Sequence, residues 1–377
     1  MDREIGLMLF YSCQALLLGL ALLLIARQNG KFSNYSILYV FVWTVSVIAI
    51  RLKYGVDQVN FYSSDQQTQL EMYERLLING LLLSPQQFVA DRYLIIVPVR
   101  IFDIFGIEPI LATKFLQAVC LLLLYRVCVK FLEQNDLKVR LYHALFFVGP
   151  LFIFLSTLGL RDLEIALATT YFFLGQNIYL RQFSFLVLLP LRPHLAVSLA
   201  FGWLMPKVHR QFNFGKIYLA LTLWTISAFV IGGYAYVIGR NIQFGNAIIS
   251  PQVFTQESWW RFFSNLVGLQ FLNFDEETVS MSTIRLLSLR LIFIDSFLIP
   301  ICFVITLLSQ KLEFSLNRIQ VFLSFTFFLG LAAQTDFNST RQNLPFLSTM
   351  GVLALLGLVK RGDNATLKSL ENSSAKS

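Results

Sequence analysis

Hydrophobic positions along this chain come in long unbroken runs, and polar positions come in short clusters between them. Leu7–Ala26, Ile217–Ile238 and Leu286–Leu308 are each long enough to cross a hydrocarbon layer about 30 Å thick. Reading all runs together predicts about ten or eleven transmembrane or re-entrant helices, several of them too short to span alone. The predicted fold class is therefore an all-α integral membrane protein. One polytopic membrane domain covers residues 1–361, with two large loops at about 51–92 and 240–285. A polar, mobile cytoplasmic tail follows at 362–377.

The polar clusters alternate in kind. Arg27/Lys31, Arg126/Lys130/Lys138/Arg140, Arg181, Lys207/Arg210/Lys216, Lys311/Arg318 and Lys360/Arg361/Lys368 are basic and mark the cytoplasmic side. Joining them leaves both large loops, the turn at Arg161-Asp162, the segment Arg192–His194 and the segment Asp336–Arg341 on the opposite face. The first large loop contains Gln66–Leu83, where Leu70, Tyr73 and Leu77 share a helical face and Glu71, Glu74 and Arg75 lie off it. Such a helix rests in the interface plane. The second loop carries Glu257-Ser-Trp-Trp-Arg-Phe-Phe263, an aromatic belt segment. Tyr93–Phe105 holds Pro98, Arg100 and Asp103 and reads as juxtamembrane or re-entrant. Pro190-Leu-Arg-Pro-His194 should break a helix, and irregular backbone at membrane depth belongs beside protein or a wet cavity.

Composition sharpens this picture. The 377 residues are 56% hydrophobic and only 14% charged, against roughly a quarter charged in an average soluble domain. The net charge of +8 follows from the placement of cytoplasmic basic residues and implies no nucleic-acid partner. Cys13, Cys120, Cys128 and Cys302 all lie in apolar runs without a CxxC pair, and read as small core residues. No cleaved signal peptide is expected before the first helix.

Asp65 is the sharpest candidate for chemistry. In Tyr62-Ser-Ser-Asp-Gln66 it stands just before the interfacial helix, placed to accept a proton from, or orient, an acceptor hydroxyl. The same residues also spell a helix cap, with Ser64 and Gln67 as a capping box. Arg161, Arg192 and Arg341 carry planar forks of donors that suit phosphate oxygens. His194 is a proton donor or acceptor near neutral pH, or a carbonyl-bonded structural residue. Asp91, Arg92, Asp162 and Asp336 form a second tier, each with an ion-cluster or snorkelling role as the plainer alternative. Asp295, inside the apolar run Leu291–Ile301, joins that tier because a carboxylate at membrane depth is costly, unless Arg290 or another arginine neutralises it. Phosphate-loop, HExxH, GxSxG and zinc-spaced Cys/His motifs are missing from the sequence, which has three histidines. No cofactor or protein-bound metal is predicted, and a divalent metal is left open.

With Ser64-Asp65 in the first outer loop, an interfacial helix after it and then Tyr93–Gly106, the chain resembles the GT-C membrane glycosyltransferases. These use polyprenyl-linked sugar donors and carry an essential acid in that loop, which Asp65 matches. Leu160-Arg161-Asp-Leu-Glu-Ile-Ala166, then Arg192-Pro-His194, then Arg341 with Pro345, resemble the Wzy/EpsG-like polymerases of O-antigen and exopolysaccharide assembly. Gln66 stands where GT-C enzymes often have a second acid, and the tail is too short for a soluble domain. Both points favour the polymerase-like variant.

The resemblance implies an enzyme of the bacterial inner membrane, active toward the periplasm, that transfers glycan from a polyprenyl phosphate or diphosphate. Its partners would be that lipid-linked glycan, the bilayer and other polysaccharide-assembly membrane proteins. The rival is a transporter or flippase of lipid-linked oligosaccharide, against which counts the lack of matching sequence halves. A non-catalytic scaffold is the third reading. The topology makes one prediction testable on intact cells. Cysteines substituted at Ser64 and Asn338 should react with a membrane-impermeant thiol reagent from outside, and labelling confined to inverted vesicles would reverse the map.

Overall fold

The computed structural model describes residues 2–27, 33–54, 98–159, 161–209, 283–308, 315–332 and 343–359, and the single positions 260, 262 and 264. The described residues are helical or connect helices, and no strand occurs among them. In chain order the helices are α1 (Asp2–Ala26), α2 (Asn34–Tyr54), α3 (Pro109–Glu133), α4 (Leu141–Phe147), α5 (Pro150–Leu158) and α6 (Asp162–Leu174). Then come α7 (Ile178–Leu191), α8 (Pro193–His209), α9 (Thr283–Leu308), α10 (Ser315–Ala332) and α11 (Asn343–Val359). Residues 98–104 add a short helical stretch before α3.

Among the described residues three helices are long and apolar enough to cross a membrane, and four spans result if α4 and α5 count as one bent span. Their burial is inverted relative to a water-soluble protein. On α1, Tyr11, Ala15, Leu18, Leu22 and Ala26 recur every three or four residues and are buried. Leu9, Phe10, Leu17, Leu20 and Leu24 point outward. A helix that is apolar all round and exposes half of its surface faces lipid rather than water. Cys13 lies on that outer face, so the expectation that all four cysteines sit in the core fails there. A cysteine behaves as a small apolar group and is as comfortable against lipid as in a core. The chain is an all-helical membrane protein.

α3 is the central post. It packs against α1, α4, α5 and α6, and 61% of its apolar stretch is buried against 33% for α1 and α2. Pro109 opens it, at the helix position where a missing N–H removes nothing. α6 packs on α7, α7 on α8, and α8 most extensively on α10. Three hydrogen bonds gather helix ends at one side of the bundle. Arg126 donates to the carbonyls of Ile25 and Arg27, and Gln176 pairs with Gln134. Arg51, Glu108, Arg161, Asp162, Arg192 and His194 all stand at the opposite ends of the helices that carry or follow them.

Small residues let the helices touch, as expected where no water drives association. A side chain added to Gly202 on α8 would collide with the Gln320 carbonyl and Ser324 of α10. One added to Gly351 on α11 would collide with the Phe146 carbonyl at the end of α4.

The broken span is where the sequence reading missed a feature. α4 and α5 meet at 73° across Val148-Gly149. Pro150 at the first position of α5 has no N–H to continue the α4 ladder, so the helix must restart there. By contrast the break expected around Pro190–His194 shrinks to one residue. α7 continues through Pro190 to Leu191, only Arg192 interrupts, and Pro193 opens α8.

Gly351→Val should therefore force helix backbones apart and destabilise the folded protein by about 1–3 kcal/mol. Gly6→Ala, where an added Cβ meets nothing within 4 Å, should be neutral or stabilising by up to about 1 kcal/mol. Thermal unfolding in detergent checks both, and equal shifts for the two variants would contradict the packing described.

Candidate functional site

A buried polar group collects where α5 passes into α6 and α7 into α8. α5 ends at Gly159 in the left-handed conformation, φ 77°, which a glycine adopts without strain. Close approach also requires glycine here, because a Cβ would lie 3.1 Å from the Lys114 amide nitrogen and 2.6 Å from Thr113 Oγ1. The turn delivers Arg161 as the residue before α6 and Asp162 as its first residue. Asp162 and Glu164 thus occupy the first turn, where carboxylates are favoured by the helix dipole.

Arg192 reaches this turn from the α7–α8 junction. Its Nη2 lies 3.8 Å from Asp162 Oδ1, with side-chain exposures of 12% and 2%. That is an ion pair longer than a charge-assisted hydrogen bond. Two residues on, His194 stacks on Phe328 of α10 with ring centroids 5.7 Å apart. Arg161 and Arg192 both lie close enough to His194 to act on its charge. Arg161 and Asp162 act likewise on Glu164, whose Oε1 accepts a 2.7 Å hydrogen bond from Gln117 Nε2 of α3.

One helical turn before Gln117, α3 carries Lys114, which is 5% exposed. Lys114 belongs to a neighbouring group at the same end of the bundle. Arg51 of α2 pairs with Glu108 at 3.3 Å and lies over the Tyr11 ring of α1 at 4.6 Å. Gln14 braces the approach to α3, donating to the Gly106 carbonyl at 2.6 Å and accepting from the Glu108 amide at 3.4 Å. Burial pushes the Glu108 carboxyl above its ordinary range, while Arg51 and Lys114 pull it back. The two groups together set four cationic side chains (Arg51, Lys114, Arg161, Arg192) against three carboxylates (Glu108, Asp162, Glu164).

A comparison with protein-family models finds no match, and neither curated proteins nor solved structures yield a similar one. The chemistry of the site therefore rests on its own residues. Paired arginines beside a carboxylate, in surroundings that exclude water, can exchange an internal anion for an external one of matching shape.

The structure brings Arg161, Asp162, Arg192 and His194 into one cluster. Asp295 stands elsewhere, against the α4–α5 break. Asp65, Asp91, Arg92, Asp336 and Arg341 lie outside the described residues. Glu164, Gln117, Lys114, Glu108 and Arg51 escaped the sequence reading. Lys114 and Gln117 had a usable signal, because two polar residues one turn apart inside an apolar run mark an inward face. Among the described residues no group of three or more His, Cys, Asp and Glu converges on a metal-sized site.

If Asp162 and Arg192 act as a pair, Asp162→Asn and Arg192→Gln should each lower the melting temperature. The double variant should fall short of the sum by about 0.5–3 kcal/mol. Strict additivity in that cycle would show that the two charges stand independently.

Proposed function

We propose that this protein is a membrane-embedded glycosyltransferase or polysaccharide polymerase that takes glycan from a polyprenyl phosphate or diphosphate. Its place would be cell-surface polysaccharide assembly, O-antigen or exopolysaccharide, in a bacterial inner membrane with the polar end facing outward. The observation that carries the reading is the gathering of Arg161, Asp162, Arg192 and His194 at one end of the bundle, from two separate helix junctions. These are the residues on which the likeness to Wzy/EpsG-like polymerases rests. Two arginines there would hold the (di)phosphate and neutralise the charge that grows on it as the sugar leaves. Asp65, in the first outer loop, would accept the acceptor's proton or orient its hydroxyl, and Arg341 would add a third phosphate contact.

A second reading keeps one observation of its own. The broken α4–α5 span resembles the discontinuous helices of secondary transporters, and a flippase for the same lipid-linked glycan would line its path with the same arginines.

Binding and turnover separate the roles. Arg161→Ala should weaken capture of a polyprenyl-diphosphate analogue by about 10- to 100-fold, the worth of one hydrogen-bonded charge. Lys at that position should restore only part, lacking the bidentate fork. Unchanged binding by a variant that still melts like the parent would make Arg161 structural.

Asp65→Asn keeps a capping oxygen and loses the charge. It should insert and melt normally while glycan transfer falls by about 10²–10⁴-fold. Near-parental transfer would leave Asp65 a helix cap. Movement of labelled lipid-linked glycan across liposomes without any new glycosidic bond would favour the flippase.

A further inference from the structure

Among the described residues, Asp295 is the one buried carboxylate that the site above does not use. α9 carries it to the break between α4 and α5, where it is 0% exposed. Its Oδ2 accepts a 3.1 Å hydrogen bond from the Leu151 amide, the second of α5. Gly149, the residue before α5, has no side chain with which to cap it. Any Cβ at Gly149 would overlap the Asp295 carboxyl, so glycine there admits the carboxyl from the neighbouring helix. Asp295 Oδ1, by contrast, has no hydrogen-bond partner among the described residues.

Among the described residues no counter-charge stands against it. Of the elements packed on α9, α5 and α11 contain no ionisable residue, and α10 contains only Arg318, in its first turn. α4, across the break, has His143 at its far end, where Nδ1 accepts the Arg140 amide hydrogen at 3.1 Å. On α9 itself are Arg285 and Arg290, whose side chains lie outside the described residues. At 3.6 residues per turn, position 290 is rotated about 140° around the helix from position 295. Among the described residues, Asp295 is surrounded by apolar side chains and the Leu151 amide.

A buried carboxyl in apolar surroundings takes up a proton in preference to holding a charge that no neighbouring group balances. The neutral acid keeps the Leu151 amide bond at Oδ2 and leaves only Oδ1 to carry the proton. A metal cation would need several oxygen ligands. At the break, the Phe147 carbonyl already accepts from Ser348 Oγ at 2.6 Å, and the Gly149 carbonyl accepts from the Phe152 amide at 3.0 Å. A proton needs only the one free oxygen.

We propose that Asp295 and the α4–α5 break form a proton-binding site within the membrane. The proton sits on Oδ1, and Oδ2 continues to accept from Leu151. Releasing it leaves a carboxylate facing the α5 N-terminus, which strengthens the Leu151 contact. Proton occupancy is thereby tied to the anchoring of α5, the helix that leads into Arg161. The site stands apart from the glycan reading and holds for transferase and flippase alike.

Infrared difference spectroscopy on the full chain in liposomes tests this through the carbonyl stretch of a protonated carboxylic acid. At about pH 6, where an ordinary aspartate is ionised, the parent should show that band, and it should fade as the pH is raised. Asp295→Asn should lack it. If that variant fails to fold, Asp295→Glu assigns the band by moving its frequency. The result should be the same in sodium and choline buffers. A band seen only below about pH 4, or one that disappears when sodium is added at constant pH, would overturn the proposal in favour of an ionised cap or a metal-cation site.

Discussion

In hydrocarbon each backbone amide and carbonyl must find its partner within the protein, because no water can substitute. The bend between α4 and α5 is where this constraint presses hardest. Ala144 O accepts from the Val148 amide, Ser348 donates to the Phe147 carbonyl and Asp295 accepts from the Leu151 amide. Two helices remote in sequence, α9 and α11, thus converge on the α4–α5 junction. Break any of these bonds and a polar group is stranded at membrane depth, at roughly 1–3 kcal/mol each. The arrangement of α9 and α11 around α5 follows from that need.

α5 in turn places the polar cluster. Its N-terminus is fixed by Asp295 and its C-terminus by the left-handed turn at Gly159, pressed onto Lys114 of α3. Arg161 and Asp162 begin α6 directly beyond. The α7–α8 junction then needs only a one-residue interruption to present Arg192 to the same spot. A rigid support on both sides is what allows charged groups to remain close in a low dielectric, where attraction is strong and misplacement is expensive.

The charges are nearly balanced within the protein, and this shapes how the site would meet a phosphate. On the proposed reading, an incoming phosphate would compete with Asp162 for Arg192, so that stability and affinity would draw on the same two side chains.

The membrane character of the protein was legible from residues alone. Apolar runs of spanning length and alternate basic clusters follow from hydrocarbon thickness and the placement of positive charge, both readable one segment at a time. Arg161, Asp162, Arg192 and His194 could be singled out for the same reason, as polar interruptions in apolar sequence. Which interruptions share a site was not legible, since Arg161 and Arg192 are 31 positions apart and Gln117 and Glu164 are 47 apart. Gly149-Pro150 gave a local hint of a break, yet the carboxylate that completes it stands 144 residues away from Leu151. Pro190 misled in the other direction, as a breaker that the helix absorbed. Local chain chemistry sets where helices run and where they stop. Only packing of helices distant in sequence decides which buried polar group answers which, because in lipid that pairing is the alternative to leaving each of them unsatisfied.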